Sequence, residues 1–149
     1  MDSKQPKKIQ QIVLATDGSS EQLGRLLGEA KLTQWHEDQL ILVAIAARPV
    51  EAHIYEPQFF RKSISPDEFE AMKQRLGQCC EQLSTEGYQA TTHVIYREDF
   101  REVQQALQAL SPDLVVTHRS LARPIPWRWL SSPDHSFLID ASPCPVLVV

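Results

Sequence analysis

The sequence predicts a single α/β domain: an open parallel β-sheet with helices on both faces. Three observations carry this. Strand-like and helix-like segments alternate along the whole chain, which implies parallel strands joined by right-handed crossovers. The segment Leu40–Ala46 (LILVAIA) is apolar at every position, as a central strand covered on both sides must be. No linker, repeat or low-complexity stretch divides the 149 residues, a length that suits one domain with a substantial core.

Taken in order, residues 1–9 read as a flexible tail containing Lys4, Lys7 and Lys8. Ile12–Thr16 is a short apolar, β-branched run and reads as a buried strand. Ser19 and Gln22 make a capping-box pattern, and Leu23, Leu26, Leu27 and Ala30 follow at helical spacing to about Trp35. The second strand is Leu40–Ala46. Residues 47–64 form the longest irregular stretch and hold Pro49, Tyr55, Pro57, Phe59 and Phe60.

Ser65-Pro66-Asp67-Glu68 is a helix start, with a cap, a proline in the first turn and a glutamate three residues after the cap. Phe69, Met72, Leu76, Cys80 and Leu83 form its buried stripe, and Gly87 ends it. Ala90–Arg97 alternates like a strand. Asp99 and Glu102 open a helix with Val103, Ala106, Leu107 and Leu110 on one face, and Ser111-Pro112 stops it. Asp113–Thr117 is the fourth strand. Ser132-Pro133 begins a short helix to about Asp140, and Pro145–Val149 is the last strand.

Composition narrows the function. A net charge of −4 disfavours general nucleic-acid binding. No apolar run approaches the roughly 20 residues of a membrane helix, and the N-terminus lacks the pattern of a secretory signal, so the expected location is the cytoplasm. Cys79, Cys80 and Cys144 show no metal-ligand spacing and read as structural thiols.

Ile12-Val-Leu-Ala-Thr-Asp-Gly-Ser19, Asp113-Leu-Val-Val116 and Ser142-Pro-Cys-Pro-Val-Leu-Val-Val149 together resemble the opening, fourth and closing strands of universal stress proteins. The resemblance spans the chain. It implies a Rossmann-like five-stranded sheet of order 3-2-1-4-5, usually dimeric. In the nucleotide-binding branch the fourth strand is followed by G-x(2)-G-x(9)-G-[ST], which wraps ribose and phosphates. Here all five glycines lie at or before Gly87. The three glycine positions fall on His118, Leu121 and Ser131, with Ser132 at the final hydroxyl position, so the motif is degenerate. Asp17 matches the family aspartate that contacts adenosine, and Ile45 matches the apolar contact to the base. An adenine nucleotide would then be met by Thr16, Asp17, Ile45, Thr117, His118, Arg119, Ser131 and Ser132.

The rewritten half of that site is unfavourable to phosphate. Pro133 removes an N–H donor at the helix start, and Asp134 puts a carboxylate there. Arg119, Arg123 and Arg128 offer side-chain alternatives. Asp17 reads equally as a turn residue. His118 reads as structural or exposed rather than as a general base, because no serine–acid partner is spaced to serve it. Trp127-Arg128-Trp129 suggests a hydrophobic or partner surface more than base stacking. The aromatic 47–64 loop is a lid, a docking surface or filling for the site.

The favoured expectation is a non-enzymatic, stress-protein-like dimer or adaptor without a cofactor, acting through partners at the 47–64 loop or the Trp127/Trp129 region. The alternative is an adenine-nucleotide binder (ATP, AMP or adenosine) with at most slow ATP hydrolysis. Dimerisation is expected through Pro145, Val146, Leu147, Val148 and Val149, an apolar strand that the implied order puts at a sheet edge.

Overall fold

The computed structural model describes residues 9–46, 65–96, 100–119 and 134–149, the side chains of 134–137 excepted. Most of the expected tail, the 47–64 loop, Asp99 and residues 120–133, with Leu121, Arg123, Trp127, Arg128, Trp129, Ser131, Ser132 and Pro133, lie outside these ranges.

The elements are β1 (Gln11–Thr16), α1 (Ser20–Glu29), a 3-10 turn (Leu32–Trp35), β2 (Gln39–Ala46), α2 (Pro66–Thr85), β3 (Gln89–Tyr96), α3 (Phe100–Leu110), β4 (Leu114–Thr117), α4 (Asp134–Ala141) and β5 (Val146–Val148). The five strands form one parallel sheet of order β3-β2-β1-β4-β5. The predicted fold is present.

Strand alternation divides the core in two. On one face Ile12, Leu14, Leu40, Leu42 and Val116 pack against Leu23 and Leu26 of α1 and Phe69, Met72 and Leu76 of α2. On the other, Val13, Ala15, Ile41, Val43 and Val115 pack against Val103 and Leu107 of α3 and Leu138 of α4. β1 and β2 are buried along almost their whole length because they are central. β3, at an edge, is mostly exposed.

Three local expectations need correction. The first helix does not run to Trp35: the Ala30 N–H closes it on the Leu26 carbonyl, and Lys31 takes a left-handed φ of 51° before the 3-10 turn. The apolar spacing continues across that break because Leu32 and Trp35 still reach the core. Cys80 sits at the margin of the buried stripe, its Sγ donating to the Ala90 carbonyl at 3.0 Å. All three cysteines are half-buried rather than fully enclosed, and burial together with the neighbouring Cys80 raises the Cys79 thiol above its ordinary range. The helix starts at Ser19 and Ser65 form as read, each serine Oγ accepting the backbone N–H three residues on, at 3.1 Å.

Two carboxylates fix the entry of the central strand. Asp38, just before β2, accepts from the Gln10 N–H at 3.1 Å, and Asp113, just before β4, accepts from the Gln11 N–H at 2.8 Å. β1 is thus held from both neighbours before its ladder begins, which leaves its far end free to form a site.

Candidate functional site

That far end is the point where the topology divides. From β1 the chain crosses to β2 on one side; from β4 it crosses to β5 on the other. The order reverses between β1 and β4, and the region beyond the C-terminal ends of strands at such a switch point is the usual ligand position in an open parallel sheet. Ala15 pairs with Thr117 and Thr16 with Ala44, so Asp17, Ile45 and His118 each stand one residue past a paired position at this end.

The β1–α1 turn is satisfied by its own side chains. Gln22 is 3% exposed, and its Oε1 accepts from the Thr16 hydroxyl at 2.8 Å and from the Asp17 N–H. Thr16 Oγ1 accepts from the Gly18 N–H at 3.1 Å, and Asp17 Oδ1 accepts from the Ser19 N–H at 2.8 Å. Three successive backbone donors are therefore occupied by oxygens of the same turn. The capping box read at Ser19 and Gln22 is only half realised: Ser19 caps the Gln22 N–H, but the glutamine oxygen turns inward to β1 and Asp17 takes the Ser19 N–H. Asp17 itself is exposed.

Gly18 makes this turn possible. Its φ is +82°, where side chains are disfavoured, and a Cβ there would overlap Met72 Cγ and approach its Sδ to 2.7 Å. Arg75, one helical turn further along α2, donates from Nε to the Gly18 carbonyl at 2.9 Å. Helix α2 thus braces the turn by packing and by a charge-assisted hydrogen bond.

The predicted site residues separate by face. Ile45 belongs to the core cluster under α3 and α4, and Thr117, two residues after Val115 on the same strand, alternates to that face. Asp17 lies past the end of β1, in the turn. Thr16 and His118 turn the other way, toward α1. His118 is 3% exposed, and its Nε2 lies 2.9 Å from Glu29 Oε2. Arg119 is exposed, with Nη2 4.0 Å from the same carboxylate. Where the family motif has its first glycine, this chain has a buried imidazole tying β4 to α1. Ser131 and Ser132 lie outside the described residues.

Gln22, Glu29, Met72 and Arg75 were not among the residues expected at the site. Gln22 was visible as a helix-start residue, yet only the fold shows its oxygen reaching back six residues. The contacts from Glu29 and Arg75 span 89 and 57 residues and carry no local signal. Among the described residues no cluster of three or more His, Cys, Asp or Glu could hold a metal ion, and no helix is long and apolar enough to cross a membrane.

The universal stress protein family model matches residues 8–149. Among similar solved structures is a universal stress protein in complex with cAMP, 19% identical, covering 96% of this chain and 98% of that one, with a TM-score of 0.58. Another is the universal stress protein from Archaeoglobus fulgidus in complex with dAMP, at 14% identity, 93% and 96% coverage and a TM-score of 0.56. A third is a family protein from Arabidopsis thaliana with AMP bound, at 14% identity, 94% and 90% coverage and a TM-score of 0.55. At such identities the structures speak for the shared fold. None of the curated proteins matches the chain.

Proposed function

Because the chain belongs to the universal stress protein family, we propose that it works as a non-enzymatic, dimeric adaptor of that family, without ATP binding of the usual family kind. The observation that carries this reading is the state of the anion-binding donors at the β1/β4 switch point. The N–H groups of Asp17, Gly18 and Ser19 are engaged by Gln22, Thr16 and Asp17. The first glycine position holds His118, buried against Glu29. A phosphate chain needs free N–H groups at close approach, and both features work against that.

A second reading draws on the adenosine half of the site. Asp17 keeps an exposed carboxylate, and relatives of the same fold are known with cAMP, dAMP and AMP. On this reading the switch point still takes an adenine ligand. Acid extraction of the purified protein, followed by chromatography of the released small molecules, separates the two. The adaptor reading expects no stoichiometric ATP, and co-purified ATP at one per chain would sink it. Three unpaired thiols suit a reducing compartment such as the cytoplasm.

The dimer proposal rests on β5. It is an edge strand paired only with β4 among the described residues, and Leu147 and Val148 are 40% and 38% exposed. Ile139 on neighbouring α4 is 52% exposed. An apolar edge of this kind is a hazard unless covered, and a second copy pairing through the same strand covers it. Leu147→Glu is expected to convert the dimer to a folded monomer in sedimentation velocity. A wild-type monomer at tens of micromolar, or an unchanged dimer in the variant, would remove this interface.

A further inference from the structure

The two edges of the sheet differ in kind. β5 is three residues long, whereas β3 (Gln89–Tyr96) runs eight residues and pairs with β2 residue for residue from Gln39 to Ala46. Only one side of β3 is used: among the described residues no strand pairs its outer edge. Roughly 26 Å of backbone, at about 3.3 Å per residue, therefore presents N–H and C=O groups without a strand partner. Natural edges are guarded by lysine, proline, inward charges or a bulge. β3 reads Gln-Ala-Thr-Thr-His-Val-Ile-Tyr and has none of these, and Thr91, Thr92 and His93 at its middle are exposed.

Helix α2 lies along this strand. At one end Phe69 stacks on Tyr96, with ring centroids 6.1 Å apart. Further on, Cys80 Sγ donates to the Ala90 carbonyl, and the Tyr88 N–H donates to the Leu83 carbonyl at 3.0 Å. Phe69, Lys73, Gly77 and Cys80 follow one another at helical spacing, so they share the side of α2 that borders the strand. Gly77 leaves that border open, since a Cβ there would meet no atom within 4 Å. Glycine inside a helix is destabilising relative to alanine, and at Gly77 neither a positive φ nor a close neighbour requires it.

The free charge beside the edge has one sign. Lys73 is held by Glu70 at 3.5 Å. Glu81, one helical turn after Gly77, and Glu86, just before the strand, are exposed, and among the described residues no cation pairs with either carboxylate. We infer that the outer edge of β3 takes an extended, basic segment of a partner protein by strand addition. Main-chain groups pair along the edge, side chains enter the space beside Gly77, and lysine or arginine meets Glu81 and Glu86. A second copy of this chain is the poorer occupant, because each copy carries a net charge of −4. The inference deepens the adaptor reading by giving it a partner surface, and it rests on that reading.

Fluorescence anisotropy on the full chain tests it, with a labelled peptide of alternating threonine and valine flanked by lysines. Saturable binding is expected. It should weaken about tenfold when glutamates replace the lysines, and vanish when the peptide backbone is fully N-methylated and can donate no hydrogen bond. Amide hydrogen exchange should slow at Gln89–Tyr96 on binding. Gly77→Leu should weaken binding severalfold while melting at or above the wild-type temperature, a combination that a purely structural glycine would not produce. Equal affinity for the N-methylated peptide, or protection confined to other elements, would overturn strand addition. Equal affinity for the lysine and glutamate peptides would overturn the charge preference. Self-association that Gly77→Leu abolishes and the peptide does not compete with would overturn the basic partner in favour of a second copy. No binding of any peptide would overturn the inference and leave the adaptor reading, which co-purified ATP decides, untouched.

Discussion

Gly18→Ala is expected to destabilise the protein by about 2–5 kcal/mol, combining the cost of a left-handed φ on an L-residue with overpacking against a buried neighbour. The φ of +82° is imposed by the chain, which must leave β1 and enter α1 while Thr16 and Asp17 supply the oxygens for the turn. The new methyl would also occupy the space of Met72, which is 3% exposed and fixed in α2. For a chain of this size the melting temperature should fall roughly 5–15 °C. The two contributions can be separated. Met72→Ala alone leaves a cavity and costs about 2–5 kcal/mol. In the Gly18→Ala background the same change should cost visibly less, because the cavity accepts the methyl group. Additive losses in the double variant would show that Met72 does not press on the turn.

Gln22→Leu should cost about 2–4 kcal/mol, because it strips a shared acceptor from a fully buried hydroxyl and a part-buried amide. The Thr16 hydroxyl is fully buried, and the Asp17 N–H points at the same glutamine oxygen. Ser19→Ala, which removes only the helix cap, should cost about 1 kcal/mol. The order of the two variants in urea denaturation is the check. If Ser19→Ala is as damaging as Gln22→Leu, the turn is held by its cap and the inward glutamine bonds matter little.

The strand–helix rhythm was legible in the sequence because it depends on local periodicity. Leu40–Ala46 reads as a central strand, and Ser65-Pro66 reads as a helix start. The break at Lys31 was hidden, since the apolar spacing of Leu26, Ala30 and Trp35 reads the same through one helix as through a helix and a 3-10 turn. At the site, the absent glycines pointed to an altered phosphate half. They did not show what replaced it. His118 looks like any histidine at a strand end until Glu29, 89 residues earlier, is seen beside it. Gln22 looked like half of a capping box, a local motif whose second bond competes with the long reach back to Thr16. The fold decides that competition, because only a packed sheet buries the Thr16 hydroxyl and makes its pairing obligatory.

We propose that the switch point between β1 and β4 does not serve a triphosphate. Calorimetric titration of the wild-type protein with ATP and magnesium, at tens of micromolar protein and physiological ionic strength, tests that claim most directly. No saturable heat up to millimolar ATP is the predicted result. A micromolar, one-to-one isotherm that disappears in Arg119→Ala or Arg128→Ala would contradict it, and would mean that arginine side chains have taken over the work of the missing glycines.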